Sequence, residues 1–178
     1  MPLRNPRCGR ERRMAEKKGP AYRIGMGYDV HPFTKNRPLI LGGVTIPHHQ
    51  GLAGHSDADC LVHAICDALL GAISAGDLGR HFPDSDPRYT DVESLLLLKK
   101  VAAMIEQKGF RITNIDTTVV AQAPQLAPYR PQMEEKIAQA VGVDHELVNV
   151  KATTTEGLGF TGRGEGIAAY AVVLVEKR

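Results

Sequence analysis

Residues 166–176, GIAAYAVVLVE, decide the fold. Every side chain from Ile167 to Val175 is apolar or aromatic, so the stretch offers water no polar face. A strand of this kind belongs inside a sheet, with both faces covered by helices or by a neighbouring subunit. Working outward, residues 147–153 read as a short strand, and 111–121 (RITNIDTTVVA) as a longer one rich in β-branched residues. Residues 22–30 (YRIGMGYDV) form another, followed by an extended stretch from Pro38 to Pro47 that bends at Gly42-Gly43. Three helices fall between them. One begins near Ser56, where Ser56 and Asp59 fit a capping box and Val62, Cys66, Leu69 and Ile73 recur at helical spacing. Asp91 caps a second, with Leu95, Leu98, Ala102 and Ile105 on its apolar face and Gly109 as its left-handed stop. The third spans about 130–141, carries Met133, Ile137 and Val141, and ends at Gly142. The stretch 76–87 reads as loop. The expectation is a single mixed-sheet α/β (α+β) domain over residues 21–178, with helices packed on one face.

Composition narrows the function classes. The 178 residues carry a formal charge of +2, unevenly placed. Residues 1–20 hold seven basic and two acidic groups, whereas the remainder holds 15 basic and 18 acidic. The basic character belongs to an N-terminal extension, expected to be disordered, and the folded part is mildly acidic. A nucleic-acid-binding face needs the opposite distribution. No apolar run approaches the roughly 20 residues that span a bilayer, so neither nucleic acid nor membrane is an expected partner. Cys8, Cys60 and Cys66 form no CxxC pair, and the last two fall on one helix too far apart to bridge, which points to a reduced, cytosol-like compartment.

Chemistry-bearing residues cluster in three places. Asp29 and His31, two apart on a strand, project to one side and suit a divalent metal, with His63 as a third ligand. Two imidazoles and one carboxylate leave a fourth tetrahedral position open. In the second cluster, His55-Ser56-Asp57-Ala58-Asp59 runs into the helix bearing His63 and Asp67, and the N–H groups at His55-Ser56 are placed to receive a phosphate. The third, Lys151 to Gly166, contains Thr153-Thr154-Thr155-Glu156 and a G-x-G-x-x-G match at Gly157, Gly159 and Gly162. The dinucleotide reading is rejected because a strand follows and no βαβ unit closes. Three hydroxyls and a carboxylate suit phosphate oxygens with a magnesium-type ion. Loop aspartates Asp77, Asp84 and Asp86 suit polyol hydroxyls, and Ala121 to Ala127 presents small side chains from which backbone groups read a flat base edge.

In their order and spacing, GMGYDVH (25–31), HSDAD (55–59), FPDSDP (82–87), AQAP (121–124) and Val150 through Gly166 closely resemble the 2-C-methyl-D-erythritol 2,4-cyclodiphosphate synthase family. The resemblance implies a ferredoxin-like domain assembled as a homotrimer, with sites between adjacent subunits. The activity it implies is metal-dependent cyclisation of 4-diphosphocytidyl-2-C-methyl-D-erythritol 2-phosphate with release of CMP, a phosphorus–oxygen lyase step of the non-mevalonate isoprenoid pathway. Carried onto this chain, Asp29, His31 and His63 hold zinc, and Glu156 serves magnesium or manganese. His55 and Thr154 stabilise the transition state, and Ser56, with Asp29-Val30-His31, contacts substrate. Asp77, Leu78 and Gly79 with Phe82, Pro83, Asp84, Ser85 and Asp86 hold the methylerythritol part. Ala121, Gln122, Ala123, Pro124, Gln125, Leu126 and Ala127 with Thr153 to Glu156 enclose the cytidine diphosphate, and Phe160 and Arg163 complete the contacts. Two positions depart from the family pattern. Met26 stands where His is frequent, and Ala58 replaces a common Gly, a change expected to strengthen the helix. The implied location is cytoplasmic, or plastid in a plastid-bearing host. The alternatives are a zinc hydrolase of phosphoesters or pyrophosphates with a metal-activated water, and a non-catalytic trimeric binding protein with a structural metal.

Overall fold

The computed structural model describes residues 19–83 and 85–178. The expected basic extension therefore lies, apart from residues 19 and 20, outside the described residues, as does Asp84. The chain opens with a long strand, β1 (Tyr22–Thr34). A tight hairpin follows, β2 (Leu39–Leu41) and β3 (Val44–Ile46), turning through Gly42 and Gly43 at φ of 56° and 72°. Two consecutive left-handed residues make the hairpin turn that matches strand twist, which is why glycines stand there. After β4 (Gly51–Leu52) come α1 (Cys60–Ala72), the one-turn α2 (Leu78–His81), α3 (Ser94–Gln107) and β5 (Phe110–Val120). Then follow α4 (Arg130–Val141), β6 (Val148–Thr153), a one-turn α5 (Gly159–Gly162) and β7 (Gly166–Lys177).

The main sheet runs β4-β1-β7-β5-β6, with β7 antiparallel to both neighbours and β5 parallel to β6. The apolar strand is indeed central. One face is covered: α1 lies over β1 and β7, and α3 and α4 complete the layer. α1 is buried almost all round, from Cys60 through Ala72, because it sits between the sheet, α3 and the hairpin. Cys60 and Cys66 are both buried and free. The other face is open in the single chain. Ile24 (72% exposed), Met26 (64%), Tyr28, Val30, Tyr170 and Val172 form an apolar surface there, with Tyr28 and Tyr170 paired across β1 and β7 at 4.9 Å. Met26 thus points away from the clustered histidines.

Helix boundaries set by local signals agree with the sequence. Gly109 and Gly142 take φ of 77° and 74° and stop α3 and α4. Those set by tertiary contacts do not. α1 starts at Cys60, not near Ser56, and its N-cap is Asp59. The Asp59 carboxylate is fully buried and accepts from the backbone N–H of Gly42, Gly43 and Val62 at 3.0, 2.6 and 3.1 Å. It staples the hairpin to the helix. Burial, then the charge of Asp57, push this carboxyl up to about 6 against the pull of those three donors. Ala58 consequently lies before the helix at φ 59°, a left-handed conformation that glycine adopts freely and alanine does not, so the expected helix strengthening is reversed. Asp91 likewise is not the cap of α3. It sits at φ 53°, three residues ahead of Ser94, and the Asp57 carboxylate takes the Ser94 N–H from across the chain. The expected loop at 76–87 contains α2, capped by Asp77, and α5 interrupts the glycine-rich run, each a single turn.

Asp59→Asn tests the staple. An amide keeps the shape but turns one acceptor into a donor facing a backbone N–H, and leaving a buried charged hydrogen bond unmade costs about 2–3 kcal/mol. Chemical denaturation should show that loss with an unchanged m-value.

Candidate active site

Period-two alternation puts Gly25, Gly27, Asp29 and His31 on the helix-facing side of β1. The two glycines decide how close α1 comes. A Cβ on Gly25 would stand 1.8 Å from the Ala68 carbonyl oxygen, and one on Gly27 would stand 1.9 Å from that of Ala64. The helix backbone therefore rests directly on the strand, running antiparallel to it, and the next turn toward its N-terminus brings His63 over Asp29 and His31. Asp29 Oδ2 lies 2.9 Å from His31 Nε2 and 3.1 Å from His63 Nδ1, and the two ring nitrogens are 3.2 Å apart. Among the described residues this is the group of ligand-type side chains that converges.

The partners of these rings fix what they present. His31 Nδ1 lies 2.6 Å from the Ala53 carbonyl, which only accepts, so Nδ1 carries the hydrogen and Nε2 is bare whenever the ring is neutral. His63 Nε2 contacts the hydroxyls of Ser94 at 2.9 Å and Ser56 at 3.2 Å, leaving Nδ1 toward Asp29. Asp29 Oδ2, His31 Nε2 and His63 Nδ1 then meet within 3.2 Å, and with neutral rings whose facing nitrogens are bare they repel one another unless a cation or a proton sits among them. The donor set and spacing fit a small divalent metal. The charge balance points the same way. Burial opposes ionisation of Asp29, but hydrogen bonds and charge from His31 and His63 outweigh it and hold the carboxyl well below the usual carboxylate range. For His31, burial disfavours the charged ring, yet the bond and charge of Asp29, then the Ala53 carbonyl, raise its pKa.

A cavity of about 270 Å³ opens onto the three ligands. His55, Ser56, Leu78, Gly79 and Phe82 line it, as the sequence leads one to expect. Val30 does not, since its side chain points to the open face of the sheet. Asp77, Pro83, Ser85 and Asp86 also stay off this lining. Asp77 caps α2 by accepting from Arg80 N–H at 2.9 Å, and Asp86 grips the Arg88 guanidinium. The N–H groups of the first turn of α1 lie at buried residues from Cys60 onward, so the phosphate-binding helix end expected at His55-Ser56 is absent. Sequence reasoning gave no role to Asp57, Ser94 or Tyr89. Asp67, which the sequence places only on the helix that bears His63, accepts from Leu78 N–H at 2.7 Å and so holds α2 against the cavity. Its i+4 spacing from His63 was the one available signal.

The expected nucleotide residues gather elsewhere. Ala121, Gln122, Pro124 to Ala127, Thr153 and Thr154 line a second cavity of about 320 Å³, beside a cis Ala123–Pro124 peptide. Of the three threonines only Thr154 turns its hydroxyl to a carboxylate, Glu156 at 2.8 Å. Thr155 binds the Leu158 carbonyl and Thr161, and Thr153 leans on the Thr154 carbonyl. The hydroxyls of Thr153 and Thr155 are thus engaged in shaping the loop. Glu156 is exposed at φ 52°, Phe160 lies on α5, and Arg163 pairs with Glu165 at 2.7 Å. The two cavities share no residue. Asp29 pairs with Ala169, Ala169 with Val119 and Val119 with Ala152, so three strand spacings, about 14 Å, separate β1 from β6 at that level.

These features define a single-domain α/β protein with three converging side chains able to hold a metal at the floor of one cavity and a second, loop-lined cavity across the sheet. Residues 22–176 match the YgbB family model, and the chain belongs to that family. It is 61% identical over 155 residues to the 2-C-methyl-D-erythritol 2,4-cyclodiphosphate synthase of Syntrophomonas wolfei, covering 87% of this chain and 99% of the relative. It is 62% identical over 156 residues to that of Geotalea uraniireducens, covering 88% and 99%. Among solved structures it resembles the CDP complex of Plasmodium falciparum IspF, with a TM-score of 0.78 and 32% identity over 89% of this chain and 97% of the other.

Proposed function

We propose that this chain cyclises 4-diphosphocytidyl-2-C-methyl-D-erythritol 2-phosphate to 2-C-methyl-D-erythritol 2,4-cyclodiphosphate and releases CMP, as a phosphorus–oxygen lyase of the non-mevalonate isoprenoid pathway. The observation that carries the reading is the meeting of Asp29, His31 and His63 beside a cavity, in a chain so similar to enzymes of that name. These three residues would hold zinc, which when bound supplies positive charge and orientation for phosphoryl transfer. Glu156, an exposed carboxylate, fits magnesium or manganese, ions that take one or two carboxylates together with substrate phosphates.

The substrate's own 2-phosphate is the nucleophile and is anionic at neutral pH, so no side chain has to remove a proton from it. Its oxygen bonds to the β-phosphorus as the bond from that phosphorus to CMP breaks. His55, with Ser56 beside it, and Thr154 steady the charge that builds there. The Asp77–Gly79 and Phe82–Asp86 segments hold the methylerythritol part, Ala121–Ala127 and Thr153–Glu156 hold the cytidine diphosphate, and Phe160 and Arg163 complete the substrate contacts. Fixing both reacting groups of one molecule supplies the proximity advantage.

A homotrimer is part of the proposal. The apolar open face of β1 and β7 calls for a partner, and the separation of the two cavities is relieved if one protomer's metal centre meets its neighbour's nucleotide loop. A ferredoxin-like character for the domain and a cytoplasmic location, consistent with free Cys60 and Cys66, complete the reading. Among the described residues no helix is long and apolar enough to cross a membrane. Incubation with the cytidyl substrate, zinc and magnesium should release CMP and give a product with two coupled phosphorus resonances and no oxygen from labelled water. An open-chain bisphosphate carrying solvent oxygen would instead establish the hydrolase.

A further inference from the structure

The sequence motifs give Ser94 and Asp57 no role, yet the two reach the Asp29–His31–His63 cluster through His63. Ser94 is the first residue of α3, and the N-cap position before it, Glu93, contributes no side-chain bond. The missing cap comes from Asp57, one of whose oxygens accepts the Ser94 N–H at 3.0 Å while the other accepts the Ser94 hydroxyl. A hydroxyl has a single hydrogen. With that hydrogen committed to the carboxylate, Ser94 Oγ shows His63 only lone pairs, and His63 Nε2 stands 2.9 Å away. The contact is a hydrogen bond only if Nε2 carries the proton. Nδ1 is then bare, and Nδ1 is the atom that meets Asp29 and His31. Ser94 is fully buried, so water does not compete for its hydroxyl.

We propose that Asp57 and Ser94 are positioning residues that lock His63 in its Nε2–H tautomer and so tighten metal binding, an inference that rests on the metal reading above. The chain of bonds runs from carboxylate to hydroxyl to imidazole, with the charged end farthest from the metal. It does for His63 what the Ala53 carbonyl does for His31. Outer partners of this kind are worth about 10–100-fold in metal affinity.

The test uses the full chain. Zinc affinity is measured by competition with a chromophoric chelator, cobalt by its visible absorption, and the His63 tautomer by nitrogen-15 NMR of the metal-free protein at alkaline pH. Ser94→Ala and Asp57→Asn are expected to weaken zinc by about 10–100-fold, and Ser94→Thr, which keeps the hydroxyl, to retain most of the affinity. Asp57→Asn preserves shape but puts an amide N–H toward Ser94, turning the serine hydrogen onto His63 and moving the ring toward Nδ1–H. Unchanged zinc affinity in both Ser94→Ala and Asp57→Asn overturns the relay, as does a wild-type His63 found mainly as Nδ1–H. If Ser94→Ala does not fold by circular dichroism, Asp57→Asn decides alone. Failure of the wild type to bind one zinc or cobalt per chain overturns the metal reading instead, and the metal-free tautomer still tests the relay.

Discussion

His63→Ala is expected to give a folded protein that no longer retains zinc and whose turnover falls by about 10³-fold or more, since a metal's charge stabilises a phosphoryl-transfer transition state by several kcal/mol. The variant separates chemistry from folding unusually well. Alanine suits a helix interior, and His63 is the edge of α1 that faces the cavity, so its loss opens onto polar space and leaves the apolar packing of Leu61, Ile65 and Leu69 intact. What disappears is one of three converging donors, and the hydroxyls of Ser94 and Ser56 lose their ring partner. The structural cost is that of an ordinary hydrogen bond, about 1 kcal/mol. Metal analysis after gel filtration, turnover with the cytidyl substrate and subunit mass check the three parts. Stoichiometric zinc with normal turnover would refute the ligand assignment.

Gly27→Ala should be among the most damaging single methyl groups in the fold. Its Cβ would lie 1.9 Å from the Ala64 carbonyl oxygen and 2.7 Å from the Ala68 nitrogen, both backbone atoms of α1. No rotamer change relieves such a contact, so the helix must lift from the strand. Overpacking costs about 1–3 kcal/mol where side chains can adjust, and the upper end or beyond is expected where only backbone can move. For a domain of this size that is a fall in melting temperature of about 6–12 °C. The lift also carries His63 away from Asp29 and His31, so zinc affinity should drop although no ligand is altered. Gly71→Ala, at an exposed position near the C-terminus of the same helix with nothing within 4 Å of its would-be Cβ, is the control. It should be neutral or stabilising by about 0.5–1 kcal/mol, as for an unhindered glycine in a helix. Thermal unfolding of both variants, with chelator competition for zinc, separates steric contact from a general effect of replacing glycine.

The same pair of residues shows where reading a sequence stops. Asp29 and His31 fall on one side of β1 by the alternation of any strand, so two of the three converging ligand-type side chains were legible as neighbours. Gly25 and Gly27 belong to the same alternation, but their purpose became visible only with α1 in place above them. Asp59 looked like the fourth residue of a capping box that Ser56 began. It is instead the cap itself, because the hairpin turn at Gly42-Gly43 points two more N–H groups at its carboxylate. That single shift of the helix start displaced the expected phosphate-binding end and turned Ala58 from a favourable residue into a strained one. Ser94 carried no signal at all, since its partners stand 31 and 37 positions away.

By itself the sequence determined the elements whose causes are local. These are the all-apolar β7, the amphipathic α3 and α4 with their glycine stops, the paired candidate ligands on β1, and the motifs that place the chain in its family. The tertiary structure alone decided where α1 begins, which polar side chains cap elements from a distance, which face of the sheet is left uncovered, and that the residues expected to hold metal and nucleotide line two cavities. The division has a physical cause. Periodicity and glycine backbone freedom act within a few residues, whereas a buried carboxylate or hydroxyl takes whichever donors and acceptors the packing brings within 3 Å, and chain order does not record that distance.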